Sequence, residues 1–517
     1  MKYIIIGGVA GGATAAARIR RNTEKAEIIL FEKGEYISYA NCGLPYYIGG
    51  VITEKEALQL QTPESFGTRF HVDVRTMSEV AAVDTARKCV VVKHGGETYE
   101  ESYDKLVLSP GAGPVRPGIP GMEKNHVFTL RNIPDTYAIH DYVTEHNPVS
   151  CAVIGAGFIG LEMAENLAEQ GLKVSVVEGA SHVMPPIDMD MAHGVHNYIR
   201  SKGIDLYLGQ TCTAMDGSGV ILKNGAKVPA DMVIMSIGVR PDTGFLKDSG
   251  IELGARGEII VNTYMETSAA DVYALGDAVS VEHVVSGQKV LIPLASPANK
   301  QGRIAADHIC GIPSAFRGAQ ASSVMKLFEM TVAATGINEK EARTREMDFD
   351  SVILTPASHA TYYPGAASMV MKVLFRKKDG KILGAQIVGF DGADKRLDVL
   401  ATAIRANMTA YDLTELELCY APPFGSAKDP VNFVGYVIEN TLTGKVKNFF
   451  WDDVAKLPRD GSVTLLDVRT PSEREAGHIE GFIHIPLDEL RHAGVDLTTP
   501  APVDAALDKF GRILDEA

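Results

Sequence analysis

Cysteine is scarce in this chain, and the little there is lies scattered. Cys42, Cys89, Cys151, Cys212, Cys310 and Cys419 form no C-x-x-C pair in 517 residues, which argues against both a disulfide framework and a structural zinc site. No metal is expected, and any sulfur chemistry must use single thiols. Positive charge is also short: 50 Lys plus Arg face 65 Asp plus Glu, a net charge of -15. Nucleic acid and anionic membranes are poor partners for such a protein. Long apolar runs are missing as well, since none reaches about 18 residues. The opening MKYIIIGGVAGG is too short for a span and has no A-x-A cleavage site, so the expected location is the cytoplasm.

What is present is a globular composition, 45% hydrophobic and 22% charged, able to bury large cores. The length asks for about three or four domains. The segment KYIIIGGVAGGATAAARIRR reads as strand, glycine-rich turn and helix, and AEIILFEK adds a second strand ending at an acid, Glu32. The same βαβ order returns in SCAVIGAGFIGLEMAENLAEQGLKVSVVEG, where Gly155 stands 148 positions after Gly7. Two such units imply two dinucleotide sites. KLVLSPGA, MVIMSIGVRP and DVYALGDAV have the texture of buried parallel strands. From residue 323 longer alternating runs around a KKDGK hairpin signal mark a separate α+β domain. The fold class expected is α/β, with two Rossmann-like domains: residues 1-112 with 253-322, and residues 113-252. The α+β domain covers 323-445, and a further α/β segment covers 446-517, whose tail gives only weak helix signals.

In the first turn the strict G-x-G-x-x-G is broken, because Val9 replaces the middle glycine among Gly7, Gly8, Ala10, Gly11 and Gly12. The strand before it, the helix after it and Glu32, placed for a ribose hydroxyl, still make a pyrophosphate cradle, since a helix start offers free N-H groups and partial positive charge. A merely tight turn is the bland alternative. The second fingerprint, Gly155, Gly157 and Gly160 followed by Glu178, is complete. An acid there accepts bonds from a 2'-hydroxyl and repels a 2'-phosphate, so NADH is expected over NADPH, unless Glu178 is only a solvated strand end.

With Gly276 and Asp277 in YALGDAV, these segments resemble, over residues 1 to 445, the flavoprotein disulfide reductases with two dinucleotide domains. Two-cysteine members carry C-x-x-x-x-C where this chain has Cys42, and Ile37 and Tyr47 stand five residues to either side. Cys42 then acts as a single redox thiol near a helix start, where positive charge favours the thiolate. The other five cysteines are expected to be buried and structural. The chain is similar to the single-cysteine branch holding coenzyme A disulfide reductase, NADH-dependent persulfide reductase, NADH oxidase and NADH peroxidase.

The resemblance implies FAD at Gly7, Gly11, Gly12, Glu32, Lys33, Gly111, Gly276 and Asp277. It implies NADH at Gly155, Gly157, Phe158, Ile159, Gly160, Glu162, Glu178 and Gly238, with Phe158 a lid over the flavin and Glu162 near the nicotinamide. SHATYYPGA and LCYAPPFGSAKDP look like the segments that bring two tyrosines of a partner subunit to the thiol, here Tyr362 and Tyr420. Tyr363 competes for the first place, and aromatic packing in a homodimer interface competes with the role itself. Coenzyme A, as ligand or substrate moiety, is implied along Thr14, Arg18, Arg21, Ser38, Asn41 and Lys428, its phosphates suited to forked guanidinium donors. The alternative for the arginines is a solvated face pairing with Glu24 or Glu27, and Phe70 stands where a relative has a basic residue.

The implied activity is NADH-dependent reduction of a small-molecule substrate, coenzyme A disulfide, a persulfide or a polysulfide, through FAD and Cys42. An NADH oxidase or peroxidase cycling Cys42 through a sulfenic acid is the competing enzyme, and a redox-sensing, partner-binding scaffold competes from another class. Residues 323-445 correspond to the dimerisation domain. TLLDVRTPSEREAGHIEGFIHIPLDEL resembles the opening half of a rhodanese domain through Asp467, Arg469, Glu473, Gly477 and His478. No cysteine follows Cys419, so a truncated or degenerate domain without sulfurtransferase activity is expected.

Overall fold

Tyr3, Ile4, Ile5 and Ile6 run consecutively through the strand Lys2–Ile6 and all four are buried, the pattern of a strand covered on both faces. In the computed structural model, which describes residues 1-493, this strand pairs in parallel with Glu27–Phe31 and with Lys105–Leu108. Asp73–Arg75 adds outside the former and Val272–Ala274 outside the latter, completing a five-stranded sheet. The helix Ala10–Asn22 presents buried Ala13, Ala15, Ala16 and Ala17, small enough for close helix–sheet packing.

A second parallel sheet has the order Asp205–Leu208, Lys173–Glu178, Ser150–Ile154, Met232–Met235, Val127–Phe128. Gly12 and Gly160 hold equivalent places in the two folds. A Cβ on either would stand 1.9 Å from the carbonyl oxygen of Gly7 or Gly155. Helix and turn therefore touch backbone to backbone, which only glycine permits.

The third sheet is antiparallel, in the order Ser323–Leu327, Met330–Gly336, Ile382–Gly389, Met369–Arg376, Phe349–Leu354. Its KKDGK turn is closed by an Arg376–Asp379 ion pair, with Gly380 at φ +73°. The helices Ala393–Arg405 and Pro430–Leu442 bury Leu397, Leu400, Val431, Val434 and Ile438 in the same core. On this sheet Lys372 is 1% exposed, and its ammonium meets Glu339 at 2.6 Å, Asp190 at 2.8 Å and Asp188 at 3.2 Å. Burial opposes that charge, but the carboxylates outweigh it and raise the Lys372 pKa. Asp188 also accepts from the Glu339 N-H and from the Gln386 amide. Because Asp188 immediately precedes the helix Met189–Ser201, buried charge fastens the second nucleotide fold to the third sheet.

These elements lie in one unit, Met1–Lys445, and Val446–Ala517 forms another. In the second, Leu466–Asp467 pairs in parallel with Ile483–His484. Arg469 grips Asp467 through two nitrogens, at 2.9 and 2.7 Å, and donates to the Gly477 carbonyl at 2.9 Å. Those bonds hold the Asp467 carboxyl well below the usual range. Glu473 and Thr470 form the capping box of the helix Pro471–Glu475, and His478 lies just beyond it. The weak helix signals of the tail fall outside the described residues. Among the described residues no helix is long and apolar enough to cross a membrane.

Candidate active site

The helix Ala10–Asn22 starts without a side-chain cap, leaving its first N-H groups for a ligand. Val9, at its N-cap, has φ -94°, so the position does not need the positive φ that favours glycine. At the end of the second strand the two Glu32 oxygens accept from the N-H groups of Gly8 and Gly34, both at 2.9 Å. Each oxygen keeps a lone pair for a ribose hydroxyl. A cavity of about 430 Å³ runs past Gly7, Gly11, Glu32, Lys33, Gly111 and Gly276 to Asp277. Gly12 supports its floor through the contact with Gly7, and Lys33 forms an ion pair with Asp242 across the cavity wall. Burial pushes the Asp277 carboxyl up, and Arg131, 3.6 Å away, pulls against it. An uncapped helix start, an anchored acid and a long groove with glycine walls fit FAD.

Arg131 was not singled out by its sequence context. It lines the same cavity, and Asn41, with its amide oriented to satisfy both ends, donates to the Arg131 carbonyl at 2.8 Å and accepts from its guanidinium at 2.9 Å. The available signal was its place just before Asn132-Ile133-Pro134, where Asn132 caps a helix by accepting from the Asp135 N-H. Tyr39, in the same lining, was also missed. Burial pushes its phenol up to about 12.

The second fold repeats the arrangement. The Glu178 oxygens accept from the N-H groups of Ala156 and Ala180, both at 2.7 Å, the same two bonds that hold Glu32. A Cβ on Gly157 or on Gly238 would have nothing within 4 Å, leaving open backbone where a pyrophosphate can approach. Phe158 and Ile159 open the helix Phe158–Glu169, which has no side-chain cap, and Phe158 is half-buried. These residues fit NADH. One turn further, burial and the neighbouring Glu165 push the Glu162 carboxyl up to about 7.

Cys42 sits exposed in the tight turn Asn41–Gly43, which runs into the helix Leu44–Ile48. Leu44, Tyr47 and Ile48 share a core with Leu161 and Ala164 of the second nucleotide fold. Gln170 donates to the Gly49 carbonyl at 2.6 Å. The redox loop of one fold is thus docked on the helix of the other. The helix after Cys42 has only five residues, too few for a useful dipole. Crowding around the turn, Glu162 and Asp277 push the thiol up. The thiolate-favouring helix start expected from the sequence is corrected on this point, because the charges that act on the thiol are the carboxylates of Glu162 and Asp277. Cys89 and Cys151 are buried and Cys212 and Cys310 partly so, but Cys419 is exposed, unlike the buried residue expected.

Tyr362 and Tyr420 lie 2.8 Å apart, hydroxyl to hydroxyl, and are 74% and 47% exposed. Tyr363 packs edge-on against His359 instead, so Tyr362 is the one joined to Tyr420. On the first helix, Thr14 donates to Asn299 at 2.6 Å, and Arg18 pairs with Asp307 at 2.6 Å rather than with Glu24 or Glu27. Arg21 lies over the ring of Phe70, 5.4 Å from its centre, as does Arg69. Ser38 takes φ +45° and donates its N-H to the Gly8 carbonyl. Lys428 is exposed just before the helix Pro430–Leu442.

Residues 1-302 match the pyridine nucleotide-disulphide oxidoreductase family, residues 322-430 its dimerisation domain, and residues 450-512 a rhodanese-like domain. A coenzyme A disulfide reductase of Staphylococcus aureus is 36% identical over 438 residues, 84% of this chain and 99% of the relative. The crystal structure of reduced Bacillus anthracis CoADR-RHD superposes with a TM-score of 0.94 at 46% identity, covering 100% of this chain and 94% of that one. A NAD-dependent persulfide reductase from A. fulgidus superposes at 0.90 with 35% identity, covering 96% and 92%.

Proposed function

This chain belongs to the pyridine nucleotide-disulphide oxidoreductase family, and we propose that it reduces coenzyme A disulfide or a low-molecular-weight persulfide with NADH, through Cys42. It is an FAD- and NADH-dependent oxidoreductase with a dimerisation domain and a rhodanese-like C-terminal domain. We take residues 1-112 with 253-322 as the FAD-binding part and residues 113-252 as the NADH-binding part, with Glu32 and Glu178 each facing a ribose. Relatives named for coenzyme A disulfide and persulfide reduction support the sulfur substrate.

Bound FAD supplies a two-electron relay between NADH and the thiol. The Cys42 thiolate attacks one sulfur of RSSR, forming a mixed disulfide and releasing RS⁻. Two electrons from NADH then restore the Cys42 thiolate and free the second RS⁻. The sum is RSSR + NADH + H⁺ → 2 RSH + NAD⁺, and a persulfide RSSH gives RSH and H₂S in the same way. The hydroxyls of Tyr362 and Tyr420, 2.8 Å apart on an exposed face, carry the choice of a sulfur substrate. One of their two protons lies between the oxygens, and the other is free to be donated to a leaving sulfur. The hydrogen bond it shares with Tyr420 raises the Tyr362 pKa.

The test is anaerobic NADH oxidation with coenzyme A disulfide, comparing the parent with Cys42→Ser. Two thiols released per NADH, and none by the variant, are expected. NADH consumption that needs only O₂ and ignores the disulfide would replace this reading by an oxidase.

A further inference from the structure

Two loops must meet for Tyr362 and Tyr420 to bond, one between Ser358 and Ala367 and one between Cys419 and Asp429. The first is pinched at its base, where the Ser358 N-H donates to the Ala367 carbonyl at 2.8 Å and the Ala367 N-H to the Ser358 hydroxyl at 3.2 Å. The second ends at Asp429, the N-cap of the helix Pro430–Leu442. One backbone bond joins them, from the Ala360 N-H to the Gly425 carbonyl at 2.9 Å.

Arg396, in the first turn of the helix Ala393–Arg405, is 2% exposed and touches both loops. Its Nη2 donates to the Ser358 carbonyl at 2.8 Å and to the Asp429 carboxylate at 3.2 Å, so one nitrogen bridges the two. The preceding residue, Lys395, is exposed and donates to the Phe424 carbonyl at 3.2 Å. A Cβ on Gly425 would stand 3.6 Å from Arg396 Nη2 and 3.6 Å from the Cys419 carbonyl oxygen. Gly425 therefore stands between this guanidinium and the chain next to Tyr420.

We propose that Arg396 is a positioning residue for the disulfide step: by tying the Ser358 loop to Asp429 it sets how the Tyr362 and Tyr420 hydroxyls meet. A guanidinium suits the task because its donors diverge from one rigid plane, which an ammonium cannot imitate. The inference rests on the reading that these phenols serve the leaving sulfur.

Arg396→Lys keeps a positive charge beside Asp429 but loses the bridging donor, and Lys395→Ala removes a surface tie only. Expected for Arg396→Lys is a fall of about tenfold in coenzyme A disulfide turnover, with NADH-driven ferricyanide reduction by the same holoenzyme within about twofold of the parent. In a Tyr362→Phe/Tyr420→Phe background the same substitution should change turnover by less than about twofold, because residues acting through one device are not additive. Lys395→Ala should give a smaller loss in the parent and none in the double-phenylalanine background. A loss equal in both backgrounds, or a parallel loss of ferricyanide reduction, overturns the proposal. If Arg396→Lys fails to fold, Asp429→Asn, which keeps a helix N-cap but removes the charge that meets the guanidinium, decides in the two backgrounds by the same criterion. Undiminished turnover by the double-phenylalanine enzyme would overturn the role of the tyrosines first, and that of Arg396 with it. Turnover lost there, with Arg396→Lys fully additive, would overturn only Arg396.

Discussion

Tyr362 and Tyr420 share one hydrogen bond, 2.8 Å between hydroxyl oxygens, although 58 residues separate them in the chain. Both rings are exposed. A bonded pair of phenols held out from the surface is suited to meeting another subunit's thiol.

Mixing Cys42→Ser subunits with Tyr420→Phe subunits tests that arrangement. If each thiol is served by the partner's tyrosines, a mixed dimer has one complete site. A random mixture should then show roughly a quarter of parental disulfide turnover, while each parent variant alone stays far lower. Activity no higher than the mean of the two variants would count against a shared site.

Glu178 is expected to set the nucleotide preference. With two backbone N-H groups fixing its carboxylate, Glu178→Ala removes both the ribose acceptor and the charge that repels a 2'-phosphate. The ratio of kcat/KM for NADH over NADPH should fall by about tenfold or more, with the FAD content unchanged. Steady-state kinetics with both nucleotides decides it, and an unchanged ratio would remove Glu178 from the site.

Glu162 should make the reactivity of Cys42 depend on pH. Its carboxyl, pushed up to about 7 by burial and Glu165, is neutral below that pH and charged above it, and the charged form raises the Cys42 pKa. Glu162→Gln should therefore lower the thiol pKa and speed Cys42 alkylation by about three- to tenfold near pH 8. The difference should vanish near pH 6, where the parent carboxyl is itself protonated. Slower alkylation of the variant at the higher pH would reverse the assignment.

Gly157 and Gly160 should respond differently to alanine. At Gly160 a Cβ would stand 1.9 Å from the Gly155 carbonyl oxygen, whereas at Gly157 nothing lies within 4 Å. Gly157→Ala should keep the melting temperature and raise the KM for NADH by about tenfold, and Gly160→Ala should lower the melting temperature by several degrees. Equal thermal effects would mean that both glycines serve packing.

The two nucleotide folds are legible in the sequence because their signals are local: an apolar strand, glycines at a helix start and an acid ending the next strand. The alternation around Gly380 declares its hairpin in the same way. Arg396 was not legible, since Lys395-Arg396 within ADKRLDVL reads as a charged surface turn, and only the loops packed above it make the position buried. Lys372 in MVMKVLF is hidden likewise, because its carboxylates come from segments distant in the chain. The surroundings of Cys42 were misread for a related reason. The residues beside it are uncharged, and the carboxylates that raise its pKa, Glu162 and Asp277, arrive from other elements.

The buried ammonium of Lys372 binds the fate of the second nucleotide fold to that of the antiparallel sheet when the protein is heated. Parting the two would leave Asp188 and Asp190 without a counter-charge on one side and would strip Lys372 of two of its three carboxylates on the other. Each stranded charge would have to regain water at once. The two parts should consequently melt in one transition, so that thermal denaturation offers no intermediate with the NADH-binding fold lost and the sheet intact.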